Sequence, residues 1–115
     1  MNRKTAFLLC TSLFTLPAAA GGDPQAGALK AQQLGCVSCH GVDGHSTMPP
    51  APGLVVPHIG GQYADYLAKA LRDYRSGERQ NPTMNGLAAG LSDQDIEDLA
   101  AHYAAQSGLE VVRPK

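Results

Sequence analysis

The amino-acid sequence predicts a single all-α domain that follows a short N-terminal leader. Three segments carry apolar residues at the spacing of an α-helix, and each is bounded by a residue that favours a helix end. No segment has the apolar–polar alternation of a half-buried strand. The length of 115 residues has room for one domain.

Residues 1–20 have the three-part composition of a secretory signal peptide. The basic stretch Asn2–Lys4 precedes the apolar run Ala6–Leu16, which is followed by the small residues Ala18–Ala20. The apolar run is too short to cross a bilayer, which needs about 20 apolar residues. We therefore expect the leader to be removed on export, and residues 21–115 to form the mature domain without a membrane span.

The first two predicted helices have clear ends in the sequence. Asp23 is a favoured N-cap and proline follows it at the first helical position, so the first helix covers Pro24 to about Leu34. The second covers about Gln62 to Ser76 and ends at Gly77, a favoured C-terminal residue. Apolar residues form one stripe along this second helix: Tyr63, Leu67, Ala70, Leu71 and Tyr74.

The third predicted helix begins with a capping pattern. Ser92 is a favoured N-cap, and Asp95 stands three residues later, where its carboxylate can bind the N-cap amide. We expect Gly108 to close the helix. Its buried face comprises Ile96, Leu99, Ala100 and Tyr103.

Between the first two helices, the segment 41–61 is rich in proline and glycine, which predicts an irregular loop.

Two cysteines remain after the leader, and a histidine follows the second one directly. Cys36, Cys39 and His40 form the C-x-x-C-H pattern to which haem is attached covalently. The thiols form thioethers with the porphyrin, and the histidine binds the iron. A disulfide between residues three apart would constrain the unfolded chain little. The mature domain has tyrosine but no tryptophan or phenylalanine, so haem would also supply much of its core.

Other uses of this cysteine pair fit the sequence less well. A thioredoxin-like redox motif needs a βαβ setting, which the helical pattern does not provide. A structural zinc site needs four ligands, and the other histidines are scattered, with His45 and His102 expected on the surface.

Loss of Arg3 and Lys4 with the leader leaves seven of the nine Lys and Arg against ten Asp and Glu, so the mature chain has a net charge of −3. That balance does not favour a nucleic-acid partner.

The iron of such a haem needs a second axial ligand, for which Met84 is the main candidate. It lies 44 residues after His40, in the segment predicted as a loop between the second and third helices. Thioether sulfur favours ferrous iron and raises the reduction potential. Met48 follows His40 by only eight residues and should stay on the same side of the haem. His58 is the main rival of Met84.

Three stretches of the sequence together resemble bacterial class I cytochromes c, in particular the single-haem cytochromes c-553 and one haem domain of the c-4 type. They are Cys36–Gly44, Pro57–Leu67, and the segment from Met84 through Leu91–Tyr103. The resemblance covers nearly the whole mature chain in the family's order. It implies the class I cytochrome c fold, with three main helices and loops around one covalently bound haem c, in a periplasmic protein.

The resemblance also implies roles for individual residues. Met84 matches the distal iron ligand of the family. Pro57 matches the proline whose carbonyl accepts a hydrogen bond from the proximal histidine and so orients its ring. A longer connection before Pro57 leaves Pro52 as the alternative acceptor. Gly27 and Tyr103 match the contact of a small residue with an aromatic one where the first and last helices cross.

These matches predict a one-electron carrier between redox proteins. With both axial positions filled by protein, the iron has no open site for a substrate, so we do not expect an enzyme. One alternative is a haem subunit in a stable complex with a dehydrogenase, for example a flavoprotein. A gas-binding or catalytic haem protein would follow if Met84 did not bind the iron. The expected partners are an electron donor and an electron acceptor protein.

Overall fold

The computed structural model describes residues 21–108 of the chain, and this range contains five helices. They are α1 (Pro24–Gln33), α2 (Cys36–His40), α3 (Ala64–Ser76), α4 (Pro82–Ala88) and α5 (Asp93–Ala104). The predicted all-α class and its three main helices, α1, α3 and α5, are therefore confirmed. The predicted signal peptide lies outside the described residues. No helix between residues 21 and 108 is long and apolar enough to span a membrane.

The predicted capping residues occupy the N-terminal ends of α1 and α5. The Asp23 carboxylate accepts a hydrogen bond from the Gln25 amide at 2.9 Å, next to Pro24 in the first turn of α1. At α5, the Ser92 hydroxyl accepts from the Asp95 amide at 3.0 Å, and the Asp95 carboxylate accepts from the Ser92 amide at 3.1 Å. This reciprocal pair satisfies two amides that the helix itself leaves without partners.

Two predicted helix boundaries are wrong. Tyr63 has an extended backbone, its amide donates to the Gln62 side chain at 2.8 Å, and its side chain is 77% exposed. Tyr63 therefore lies outside the apolar stripe of α3. At the other end of the chain, α5 ends at Ala104, before the predicted Gly108. The Tyr103 carbonyl accepts from the Gly61 amide at 2.9 Å and from the Gln106 amide at 3.2 Å, a bond of the tighter kind that is common in the last turn of a helix.

The crossing of α1 and α5 depends on the absence of a side chain at Gly27. A Cβ atom there would collide with the main-chain carbonyl of Asp98 and would lie 2.8 Å from the His102 Cβ. The family resemblance implied a contact between Gly27 and Tyr103; the atoms nearest to a Cβ at position 27 belong to Asp98 and His102. Glycine lets the two helix backbones approach more closely than any other residue would.

The core consists mainly of small and medium-sized side chains. The predicted face of α5 is buried throughout, with exposures of 0–4% at Ile96, Leu99, Ala100 and Tyr103. Residues from the other helices and their connections complete the cluster: Ala31, Leu67, Ala68, Ala88 and Leu91. Because four of these nine core residues are alanine, the side chains leave a large apolar space beside them.

Ion pairs on the outer surface join the helices around this core. Lys30 of α1 reaches Asp95 of α5 at 3.0 Å. Arg72 of α3 binds Glu97 of α5. Arg75 of α3 donates to the Leu91 carbonyl at 3.0 Å and to Asp93 at 2.7 Å. Half-exposed pairs of this kind contribute little stability each, and their main effect is to fix the angle between neighbouring helices.

Residues 41–61 form the predicted irregular loop, with a single β-bridge between Ala51 and Leu54. Its first residues are attached to α5. The His102 Nε2 donates to the Val42 carbonyl at 3.1 Å, and the Tyr103 hydroxyl donates to the Gly41 carbonyl at 3.4 Å. The prediction of His102 as a surface residue is therefore wrong, since only 7% of it is exposed.

Candidate haem site

A cavity of about 490 Å³ lies between the loop and α2, α3 and α4. Its volume falls within the roughly 300–1,000 Å³ of sites that enclose a small molecule or cofactor. Most of the lining is apolar, and it comes from every described helix except α1. The lining contains all five residues that the sequence singled out: Cys36, Cys39, His40, Pro57 and Met84.

The short helix α2 presents the attachment residues to this cavity. Gly35 precedes it with a φ of +77°, a conformation that glycine adopts without strain, and so turns the chain sharply after α1. Within α2, Cys36 lies three residues before Cys39 and four before His40, so the three side chains share one face. Both thiols are free, and burial raises the pKa of the Cys36 thiol.

His40 is held in one orientation by the loop. Its Nδ1 lies 3.1 Å from the Pro57 carbonyl, and since a carbonyl only accepts, Nδ1 carries the proton. The second nitrogen, Nε2, is then left with its lone pair. Burial lowers the pKa of His40, and this effect outweighs the opposing influence of the Pro57 hydrogen bond. The imidazole is therefore neutral near pH 7, which is the form that binds a metal. Pro57, rather than Pro52, is the acceptor.

Met84 lies in a helix, not in the loop that the sequence predicted. It is the third residue of α4, whose N-cap Asn81 accepts from the Met84 amide at 3.1 Å. The Asn85 side chain accepts from the Asn81 amide at 2.8 Å and donates to the Tyr74 carbonyl at 2.8 Å. These bonds fix the start of α4 on the end of α3. Asn81 followed by Pro82 was the signal for this helix in the sequence.

The two helices that carry His40 and Met84 pack against different neighbours. α2 packs against α1, whereas α4 packs against α3. His58 also lines the cavity, but it is exposed and follows Pro57, which contacts His40 directly. Met48 is 38% exposed and is not part of the lining. His40 and Met84 thus come from helices with different packing partners, and His58 is the chain neighbour of the residue that binds His40.

Residues that the sequence did not single out also shape the cavity wall. Asn81 and Asn85 hold α4, as described above. Arg79 lines the wall and stacks over the Tyr74 ring, with 5.0 Å between its guanidinium carbon and the ring centroid. Tyr66 lines the same wall. No sequence pattern marked Arg79, because its meaning depends on the fold that turns it toward the cavity.

The chemistry of the lining suits covalently bound haem. Two free thiols and a neutral imidazole lie on one short helix, and a thioether lies on a second helix. The rest of the wall is mainly aliphatic and aromatic. A porphyrin requires such an apolar enclosure, and haem iron is bound by imidazole nitrogen and thioether sulfur in proteins.

Comparison with known proteins points the same way. The family model for cytochrome c matches residues 24–104. Cytochrome c4 of Pseudomonas aeruginosa is 43% identical over 106 residues, which are 92% of this chain and 49% of that protein. Cytochrome c-554(548) of Halomonas halodenitrificans is 42% identical over 74 residues, covering 62% of this chain and 83% of that protein. The chain thus spans about half the length of the cytochrome c4 that it matches.

A solved structure and one further relative extend this comparison. The crystal structure of reduced recombinant cytochrome c4 from Pseudomonas stutzeri superposes with a TM-score of 0.58 and 31% identity, over 76% of this chain and 52% of that one. The predicted class I fold is therefore confirmed. The cytochrome subunit of sulfide dehydrogenase from Chlorobaculum tepidum is 33% identical over 70 residues, which are 61% of this chain and 58% of that protein.

Proposed function

Because the chain belongs to the cytochrome c family, we propose that it carries single electrons between redox proteins through one covalently bound haem c. The observation that carries this proposal is the shared cavity of Cys36, Cys39, His40 and Met84. When bound, the haem supplies an iron that alternates between the ferric and ferrous states. The protein's own residues attach, orient and enclose that group.

On the α2 side, the chain attaches the cofactor and presents its first ligand. The Cys36 and Cys39 thiols would form the two thioether bonds, since both are free and lie on the same face of α2 as His40. The Pro57 carbonyl holds the proton of His40 on Nδ1, which leaves Nε2 as the ligand atom. This hydrogen bond would also make the imidazole a stronger donor to the iron, which would favour the ferric state.

On the α4 side, the Met84 thioether would bind as the sixth ligand. Sulfur favours ferrous iron and so opposes the influence of the His40–Pro57 hydrogen bond on the reduction potential. With His40 and Met84 both bound, no coordination position remains for a substrate. We therefore assign the protein a carrier role rather than a catalytic one.

An apolar rim around the cavity suits transient docking with redox partners. Four cavity-lining residues are also exposed to solvent, by 38–76%: Leu34, Val55, Tyr66 and Leu87. Electron-transfer partners typically meet over small, short-lived interfaces, for which a rim of a few exposed apolar side chains is sufficient. We place this exchange in the periplasm, with residues 1–20 as the signal peptide and 21–115 as the mature cytochrome domain.

A second candidate is a haem subunit within a dehydrogenase complex. The name of the Chlorobaculum tepidum relative, a cytochrome subunit of sulfide dehydrogenase, favours it. The two candidates differ in the stability of the assembly. Co-purification of a second polypeptide, or a flavin spectrum in the purified protein, would identify a subunit, and a carrier would purify alone.

The mass of the denatured protein tests the proposal. We expect the full chain, produced in a bacterium that attaches haem, to lose residues 1–20 and gain the mass of one haem. The haem should persist through acid–acetone extraction, and a redox titration should follow a one-electron curve. The double variant Cys36→Ser/Cys39→Ser should gain no mass. Attachment of no haem to the unsubstituted chain would refute the proposed function.

A further inference from the structure

The loop between α2 and α3 differs from the rest of the described chain in its charge. Residues 44–64 contain no lysine, arginine, aspartate or glutamate, whereas 14 such residues fall among the other 67 described positions. Charged side chains are mostly found on protein surfaces. An exposed stretch of 21 residues without any of them is therefore a distinct part of this surface.

The two ends of this loop are closed on each other. The Gly44 carbonyl accepts from the Ile59 amide at 2.8 Å and from the Gly60 amide at 3.2 Å. The two segments approach so closely that a Cβ at Gly44 would collide with the Gly60 nitrogen. The α5 helix also binds both ends of the loop, through the carbonyl and the hydroxyl of Tyr103. Residues 45–58 therefore form an Ω-loop on a fixed base.

The tip of this Ω-loop, residues 46–56, is also closed within itself. The Ala51 amide donates to the Leu54 carbonyl at 3.1 Å, and the Leu54 amide donates to the Ala51 carbonyl at 2.9 Å. Prolines at positions 49, 50 and 52 restrict the backbone beside this turn. The tip thus presents a preorganised surface, which lowers the conformational entropy that binding would cost.

The two parts of the tip have different surroundings. Residues 54–56 line the cavity, whereas every residue from 47 to 53 is exposed and none of them lines it. The exposed fraction is 76% at Val55 and 38% at Met48. A protein bound to the tip would thus be one chain segment away from the cavity. Because electron transfer slows steeply with distance, this is a favourable place for a redox partner to bind.

A surface of this kind fits a partner surface that is also uncharged and apolar. Exposed apolar patches mark sites of protein–protein contact. A charged side chain of the partner would lose its hydration against the tip and would find no opposite charge there, which costs free energy. An apolar partner surface would instead gain from the burial of Met48, Val55 and the prolines.

We propose that the tip, residues 46–56, is the docking surface for a redox partner protein, and that the partner's matching surface is uncharged and apolar. The inference rests on the proposed function. It narrows the apolar rim to one segment, since Val55 is the only one of the four exposed rim residues that belongs to the tip. Association through such a surface depends little on ionic strength, because salt screens charges.

Voltammetry of the mature, haem-loaded protein at coated gold electrodes tests this assignment. The probe is a methyl-terminated alkanethiol monolayer, and carboxylate- and ammonium-terminated monolayers of equal length are the charged probes. We expect electron exchange to be at least about threefold faster at the methyl-terminated monolayer than at either charged one. Its rate there should change by less than about twofold from about 0.01 to about 1 M salt, although the screening length falls about tenfold.

Ala51→Glu and Ala51→Lys place a charge of either sign on the tip and keep its backbone bonds. We expect both to slow electron exchange at the methyl-terminated monolayer by about three- to tenfold, because either charge must be desolvated without a partner. Leu29→Glu is the matched control, since Leu29 is 62% exposed on α1 and does not line the cavity. It should change the rate by less than about twofold. Met48→Glu and Met48→Lys repeat the test at a second exposed position of the tip.

Three results would overturn the inference. Opposite effects of Ala51→Glu and Ala51→Lys would show that the tip acts through charge. Equal effects of the Ala51 variants and Leu29→Glu would show that the tip is not the docking surface. If analytical ultracentrifugation detects a dimer that Ala51→Glu dissociates, a second copy of the chain covers the tip. An unsubstituted protein with neither a haem spectrum nor a one-electron wave would instead contradict the proposed function.

Discussion

The α1–α5 crossing and the cavity wall are built in opposite ways. At the crossing, the chain supplies every contact itself: a glycine against a helix backbone, a capping box and an ion pair between Lys30 and Asp95. At the cavity, the same chain leaves about 490 Å³ that its side chains do not fill. The packing at the crossing thus needs no further group, whereas the packing at the cavity wall is completed only when a cofactor is bound. Four substitutions, taken from the largest expected effect to the smallest, test this contrast.

Loss of haem attachment should have the largest effect. In Cys36→Ala/Cys39→Ala, haem is no longer attached covalently, and without haem the apolar wall of the cavity is open to water. Loss of that burial is a large change for a small domain, whose whole stability is only about 5–15 kcal/mol. We expect the variant to lose its cooperative unfolding transition, measured by circular dichroism in denaturant. A cooperative transition at an unchanged denaturant midpoint would show that haem is not part of the core.

A side chain at position 27 should disrupt the crossing directly. In Gly27→Val, Cβ would collide with the Asp98 carbonyl, so the two helices must separate. We expect the free energy of unfolding of the haem-loaded protein to fall by about 3 kcal/mol. The control is Gly90→Ala, since a Cβ at Gly90 would have no neighbour within 4 Å. Equal stabilities of the two variants would contradict the close contact.

Removal of the Asn85 side chain should destabilise α4 at the cavity wall and leave the α1–α5 crossing unchanged. Asn85→Ala deletes the bonds to the Tyr74 and Arg79 carbonyls and to the Asn81 amide. We expect a loss of about 1–3 kcal/mol. The absorption band of sulfur bound to ferric iron should also vanish at a lower denaturant concentration than the helical signal. Coincident loss of both signals would show that α4 does not open separately.

Loss of the Asp95 charge from the capping box should have the smallest effect, and this effect should depend on pH. The Ser92 amide, followed by Lys30, holds the pKa of Asp95 below its usual value, so the carboxylate stabilises the fold above the ordinary pKa of about 4. That contribution disappears as the pH falls through the lowered pKa. We expect Asp95→Asn to cost about 1 kcal/mol at pH 7 and almost nothing near pH 2. A pH-independent difference would contradict this account.

The crossing was easier to predict from sequence than the cavity. Asp23, Ser92 and Asp95 act on amides within a few residues of themselves, so their roles are visible in the linear order. The C-x-x-C-H pattern is equally local. α4 escaped prediction because its seven residues include proline and glycine, and it is held by Asn85, which bonds to the carbonyl of Tyr74 eleven residues earlier.

Long-range contacts account for the other differences. His102 is buried because its ring donates to the Val42 carbonyl, and this partner lies 60 residues away in the chain. The Tyr103 carbonyl near the end of α5 accepts from the distant Gly61 amide, and Arg79 contacts Tyr66 and Tyr74. None of these pairs follows from periodicity or capping. The resemblance to a family, by contrast, did single out Pro57, whose carbonyl meets His40 across 17 residues.

The central claim is that His40 and Met84 bind one haem iron from opposite sides of the cavity. The absorption spectrum of the ferric mature protein tests it most directly. The account predicts a weak band at the red end of the spectrum, from sulfur bound to ferric iron. This band should be present in the unsubstituted protein and in His58→Ala, and absent in Met84→Ala. A band that survives in Met84→Ala, or that disappears in His58→Ala, would contradict the claim.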